Sequence, residues 1–122
     1  MANTRILIVD DDNRTCEFLA ATLSREGYDV DTALGGKAAL GLAAERPYAL
    51  ALLDFRMPDM NGDEVYRRIT AIQPELIGIF VTGYPTLDTV LPAVQAGAAR
   101  VLAKPVDAVE VIQQVAECLK ES

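Results

Sequence analysis

Two kinds of apolar pattern divide the chain. Residues 5–9 (Arg-Ile-Leu-Ile-Val), 49–53 (Ala-Leu-Ala-Leu-Leu) and 76–81 (Leu-Ile-Gly-Ile-Phe-Val) are short runs without polar alternation. Such runs mark strands buried on both faces of a parallel sheet. Residues 28–33 alternate instead, with Asp29 and Asp31 on one side and Val30 and Thr32 on the other, which predicts a half-exposed edge strand. Residues 101–103 give a short fifth strand.

Between these runs the spacing becomes helical. Residues 13–26 bring Phe18, Leu19, Thr22 and Leu23 to one face, and Gly27 is a natural stop. Gly35-Gly36 leads into an Ala/Leu-rich helix ended by Pro47. Asn61 is the expected cap of a helix over 62–72, with Glu64 completing a capping box and Val65, Ile69 and Ile72 as the buried stripe. Residues 86–96 read as helical apart from Pro92, which either kinks the helix or marks a late start. Asp107 and Glu110 form a cap pair for a last helix that turns Val109, Ile112, Val115 and Leu119 inward.

Five strands alternating with five helices predict an α/β fold, a doubly wound five-stranded parallel sheet with right-handed crossovers. The edge character of the second strand fits the flavodoxin-like order 2-1-3-4-5, whose switch point lies between the first and third strands. Asp10, Asp11 and Asp54 then converge at the carboxyl ends of neighbouring strands, where open α/β sheets bind ligands. Thr82 and Lys104 end the fourth and fifth strands on the same rim.

Composition narrows the chemistry. A chain of 122 residues, 51% hydrophobic, suits one domain over residues 1–122. Its longest apolar runs fall far short of the ~18 residues a membrane helix needs. The opening Met-Ala-Asn-Thr-Arg lacks a signal-peptide layout, so a cytoplasmic location is expected. The net charge of −7 argues against nucleic acid as a direct partner. With no histidine, Ser-His-Asp and Cys-His chemistry lose their base, and zinc loses its usual ligand. Cys16 and Cys118 fall at opposite ends of parallel helices, too far apart to bond.

Any metal must therefore be held by oxygen, which favours a hard cation such as Mg²⁺. The adjacent Asp10, Asp11 and Asp12 repel one another, and a cation would relieve that repulsion. Taken singly, each candidate has a plain structural reading. The acidic triplet could be a solvated helix cap, Asp54 a turn cap, Thr82 an ordinary strand end and Lys104 a surface lysine. Their common destination on one rim is what favours a site.

The pieces Ile-Leu-Ile-Val-Asp-Asp-Asp, Leu-Leu-Asp-Phe-Arg-Met-Pro-Asp-Met-Asn-Gly, Val-Thr-Gly, Ala-Gly-Ala and Ala-Lys-Pro occur in that order. In this order and spacing the chain resembles the receiver domain of two-component response regulators, the chemotaxis-regulator-like fold, from Arg5 to the last helix. The resemblance implies that Asp54 is the phosphoacceptor, loaded from a sensor histidine kinase or a His-phosphotransfer protein. It implies that Asp11 binds Mg²⁺ directly and Asp10 through water, with Asp54 and the backbone carbonyl of Arg56 completing the set. Thr82, the Gly83 backbone N–H and Lys104 would hold the phosphoryl oxygens, and the Lys104-Pro105 bond would be cis. The only chemistry implied is self-catalysed phosphoryl transfer and dephosphorylation. The face of the fourth helix, fifth strand and fifth helix would meet an effector, an attached output domain or a second copy.

Two departures bear on output. Receivers commonly carry Tyr or Phe three residues before the lysine; here Val101 stands there and offers no aromatic rotamer switch. Output is therefore expected to run through Thr82 and the 83–85 loop, with the irregular helix at Pro92 following. Val106 replaces a frequent Phe, which loosens that corner. Arg56 and Tyr84 flank the route of an attacking water, and their bulk implies a slowly hydrolysing acyl phosphate.

Three other functions fit less well. A haloacid-dehalogenase-type phosphatase needs Asp-x-Asp-x-Thr, but position 14 is Arg. A flavin-binding protein needs a phosphate loop after the first strand, where three acids would repel the ligand. A pseudo-receiver expects loss of an acid, the threonine or the lysine, and none is missing.

Overall fold

The central strand β3 (Leu50–Asp54) lies between β1 (Arg5–Val9) and β4 (Ile77–Thr82) in a computed structural model that describes residues 3–121. Met1 and Ala2, from the opening read for a signal sequence, and Ser122, the end of the expected domain range, lie outside the described residues. The edges are β2 (Asp29–Ala33) and β5 (Arg100–Ala103), giving the order β2-β1-β3-β4-β5 with every neighbouring pair parallel. The connecting helices are α1 (Asn13–Ser24), α2 (Gly36–Glu45), α3 (Gly62–Ile72) and α4 (Leu87–Gln95), and α5 (Ala108–Glu121) follows β5.

Side-chain alternation makes two cores from one sheet. Leu7, Val9, Ala51, Leu53 and Phe80 pack against α2, α3 and α4. Ile6, Ile8, Leu50, Leu52, Ile79 and Val81 pack against α1 and α5. Both sets are buried, which is why β1, β3 and β4 read as continuous apolar runs. The edge strand β2 keeps Asp29 exposed, while Asp31 is held by Arg46 at 3.1 Å and by the Tyr48 hydroxyl at 2.7 Å.

Several local expectations are corrected. On α1 the inward positions are Cys16, Leu19, Thr22 and Leu23, and Phe18 is 43% exposed. On α5 they are Val111, Val115 and Cys118; Val109 lies about 200° around the helix from Val111 and faces solvent. Ile72 ends α3 exposed, because Gln73 rather than Ile72 makes the inward contacts there. The Gln73 amide donates to the Ala43 and Arg46 carbonyls and accepts the Tyr48 N–H.

The capping box at Asn61 does not form. Asn61 is the N-cap residue without a side-chain bond, and Glu64 pairs with Arg68 at 3.0 Å. At α5 the Asp107 carboxylate does cap, accepting the Glu110 N–H at 2.7 Å. Pro92 sits inside α4, so the helix does not start late; its first residue is Leu87. Cys16 and Cys118 are free and buried on the α1/α5 side of the sheet.

Candidate functional site

Strand register alone brings the acids together. Val9 pairs with Leu53, so the next residues, Asp10 and Asp54, emerge side by side at the carboxyl ends of β1 and β3. Asp54 in turn pairs with Val81, which sets Thr82 one step beyond it on β4. Thr82 pairs with Ala103, and the Lys104 N–H donates to the Thr82 carbonyl at 2.8 Å. Asp10, Asp11 and Asp54 each offer an oxygen, all within 4.8 Å of one another.

Burial grades these acids. Asp10 is buried, Asp54 intermediate and Asp11 exposed. Asp10 accepts the Asp12 N–H, and Asp12 caps α1 by accepting the Arg14 N–H, so the third acid of the triplet belongs to the helix rather than to the cluster. Lys104 answers the buried charge: its Nζ is 2.8 Å from Asp10 Oδ2 and 3.5 Å from Asp54 Oδ2. Burial disfavours the ammonium, but the hydrogen bond and charge of Asp10, followed by Asp54, outweigh it and raise the lysine pKa.

Asp54 shows the opposite balance. Burial first, then the negative charge of Asp10, push its carboxyl up to about 6 against the pull of Lys104. The cluster is thus short of positive charge. All its donors are hard oxygens, a set that could hold a hard metal ion.

The β3–α3 loop is moulded onto this site. The Gly62 N–H donates to the Phe55 carbonyl at 2.7 Å, and a Cβ on residue 62 would fall 2.2 Å from the Asp54 carbonyl oxygen. Only glycine lets the first turn of α3 approach so closely. Arg56 is exposed, its guanidinium carbon 6.0 Å from the centroid of the Phe55 ring.

Asp59 was not singled out from the sequence, yet it ties this loop to α2. Its carboxylate accepts the Gly36 and Lys37 N–H groups at 3.1 and 3.0 Å, and these bonds hold its pKa below the usual carboxylate range. The available signal was Gly35-Gly36, since a Cβ at Gly35 would lie 3.1 Å from Asp59 Oδ1 and one at Gly36 would meet Met60 and Val65 at 2.9 Å.

At the fourth strand Thr82 is buried, and its Oγ1 accepts the Tyr84 N–H at 3.1 Å. Nothing lies within 4 Å of a Cβ built on Gly83, so the site itself does not demand glycine there. Val101 is partly buried against the α2/α3/α4 core, and the Lys104-Pro105 bond is cis. Cys16, beside the site, donates its thiol to the Asp10 carbonyl at 3.3 Å. Burial and then the Asp10 charge push that thiol up to about 11, which keeps it protonated and unreactive. An apolar cleft of about 480 Å³ opens next to Lys104, lined by Phe18, Val81, Pro105 and Val106 among others. Among the described residues, no helix is long and apolar enough to cross a membrane.

Comparison with known proteins agrees with this geometry. The family described as the response regulator receiver domain matches residues 6–116. The transcriptional regulatory protein ZraR of Escherichia coli O157:H7 is 38% identical over 105 residues, which cover 86% of this chain and 24% of that regulator. The chain thus spans about a quarter of the length of such relatives. Among solved structures, a CheY-like receiver domain protein from Methanospirillum hungatei JF-1 is 33% identical with a TM-score of 0.95, covering 98% of this chain and 96% of that one. The response regulator TrrA of Thermotoga maritima, solved in complex with Mg²⁺ and BeF, is 32% identical with a TM-score of 0.83, covering 93% and 97%. Acids, lysine and threonine meeting at one rim of a 2-1-3-4-5 sheet, in a chain matched almost end to end by one family, make this protein a member of the response regulator receiver domains of two-component systems.

Proposed function

We propose that this receiver, taking residues 1–122 as a single domain, accepts a phosphoryl group on Asp54 from a histidine kinase or a His-phosphotransfer protein. The observation that carries the reading is the meeting of three carboxylates within 4.8 Å, with the Lys104 ammonium reaching both Asp10 and Asp54. An Asp54 oxygen attacks phosphorus and the P–N bond of the donor phosphohistidine breaks. The imidazole nitrogen keeps the electron pair. With a carboxyl pKa of about 6, Asp54 is mostly ionised at neutral pH and so available as the nucleophile.

The residues that would hold Mg²⁺ are Asp11, Asp54 and the Arg56 backbone carbonyl, with Asp10 through water. Bound there, the cation would offset charge on the carboxylates and on the phosphoryl oxygens. The rest belongs to the chain. Lys104 neutralises a phosphoryl oxygen, Thr82 donates its hydroxyl to a second, and the Gly83 N–H serves a third. The reaction is self-catalysed transfer onto the protein and later loss of phosphate to water, with no other enzymatic activity.

Phosphorylation then shifts a conformational equilibrium that is read by an effector, an attached output domain or a second copy of the chain. The face of α4, β5 and α5 suits that role, since Leu87, Leu91 and Val94 lie exposed along α4. The domain works in the cytoplasm, without direct contact with nucleic acid. The test is labelling with acetyl phosphate and Mg²⁺: wild type should gain one phosphoryl group by intact mass, and Asp54→Asn none. A labelled Asp54→Asn chain would place the acceptor elsewhere.

A further inference from the structure

The six residues 83–88 are all exposed, and the residues that bound them, Thr82 and Thr89, are buried. Thr89 is 1% exposed, an uncommon place for a hydroxyl in the first turn of a helix, and such a group needs partners. It has them on both sides. Its hydroxyl donates to the Tyr84 carbonyl, with the Thr86 carbonyl also in reach at 3.2 Å, and its Oγ1 accepts the Thr86 N–H at 3.3 Å.

Tyr84 is therefore held at both ends of its own backbone. Its N–H goes to the Thr82 hydroxyl, and its carbonyl takes both the Thr89 proton and the Thr86 N–H, the latter at 2.8 Å. The residue between these bonds has little freedom of its own. Pro85 follows it, restricting Tyr84 to extended backbone and fixing its own φ. A stiff peptide held at two points passes a displacement on instead of absorbing it.

We infer that Thr89 is the positioning residue through which Thr82 acts on α4, by way of the Tyr84 backbone, in place of the aromatic switch that Val101 cannot provide. The inference rests on the proposed roles of Asp54 as phosphoacceptor and of Thr82 as donor to a phosphoryl oxygen. When the Thr82 hydroxyl turns towards a phosphoryl oxygen, it either carries the Tyr84 N–H with it or lets it go. Both change the position of the Tyr84 carbonyl and hence the Thr89 bond. Thr89 lies in the first turn of α4, on the buried face between Leu87 and Leu91, so a shift of this turn moves the exposed stripe of Leu87, Leu91 and Val94 on the other face.

The test compares wild type, Thr89→Val and Thr89→Ser, each titrated with Mg²⁺ and beryllofluoride as a mimic of the acyl phosphate, with amide chemical shifts as the readout. Wild type should respond at residues 54 and 82–84 and along 87–95. Thr89→Val keeps the shape but loses the hydroxyl. It should respond normally at 54 and 82, while its shifts along 87–95 fall to less than about half of the wild-type values. Thr89→Ser should restore them. A Thr89→Val chain with full shifts along α4 overturns the relay. Should that variant not fold, hydrogen exchange in wild type decides: protection at Thr86 and Thr89 must change on adding the mimic, and unchanged protection overturns the inference. A wild-type chain that shows no response even at 54 and 82 overturns the phosphoacceptor reading, and the relay with it.

Discussion

The Lys104 ammonium stands nearer to Asp10 than to Asp54, 2.8 Å against 3.5 Å, although Asp54 is the acid that it would serve in phosphoryl transfer. The Asp10 side chain is only 3% exposed, so its charge has little help from water. Lys104 thus has a second task, keeping a buried carboxylate tolerable. Removing one partner of a buried pair costs about 3–5 kcal/mol. Because the lysine is about a quarter exposed, Lys104→Met should lose only about 1–3 kcal/mol, read from urea unfolding in EDTA. Mg²⁺ should restore more stability to the variant than it adds to wild type, since it supplies the missing positive charge. Equal gains from Mg²⁺ in both chains would count against this account.

The raised pKa of Asp54 has a sign that can be measured. Its folded value of about 6 exceeds the ordinary 3.8, so between these pH values the native state binds more protons than the unfolded chain. Stability from this group therefore falls as pH rises from about 4 to about 6, and stays low above that. In EDTA, Asp54→Asn should be more stable than wild type at pH 7, by about 1–3 kcal/mol. That advantage should shrink on acidification through this window. Parallel stability curves for the two chains across the window would refute the shift.

The acids were legible because strand ends and register are local consequences of the apolar runs, and Val9 opposite Leu53 needs no long-range detail beyond strand order. Asp59 and Thr89 were not, because each gains its meaning from a partner that the sequence does not mark, the first turn of α2 for one and the Tyr84 carbonyl for the other. Helix faces were read to within a turn but not to the residue. Phe18 and Val109 were assigned inward by hydrophobicity alone, while the space was already filled by Cys16, Leu19 and Val111. Asn61-Glu64 had the spacing of a capping box, yet Glu64 pairs with Arg68 one turn on.

Gly62 offers a test of how tightly the loop is moulded to β3. The 2.2 Å separation from the Asp54 carbonyl oxygen involves backbone, which cannot swing aside like a side chain. Gly62→Ala should therefore displace α3 from β3 and destabilise the fold by about 1–3 kcal/mol or more. The same displacement would disturb Arg56, so Mg²⁺ affinity, followed by amide shifts, should weaken as well. Thermal unfolding at the wild-type midpoint with unchanged Mg²⁺ affinity would show that the loop yields more easily than this geometry implies.

Given the proposed phosphorylation of Asp54, Tyr84 offers a test of what sets the lifetime of the acyl phosphate. Its side chain is 68% exposed, so any shielding of Asp54 requires the 83–85 loop to draw in with Thr82 after phosphorylation. The effect of Tyr84→Ala should then be confined to the phosphorylated state: loss of phosphate should speed up several-fold, while loading from acetyl phosphate proceeds at the wild-type rate. Each factor of ten would correspond to about 1.4 kcal/mol of barrier, within what excluding one attacking water can supply. Phosphate release followed by intact mass after removal of the donor measures the first rate, and the initial slope of labelling the second. If both rates change together, the tyrosine acts on the resting site; if neither does, the side chain stays in solvent throughout.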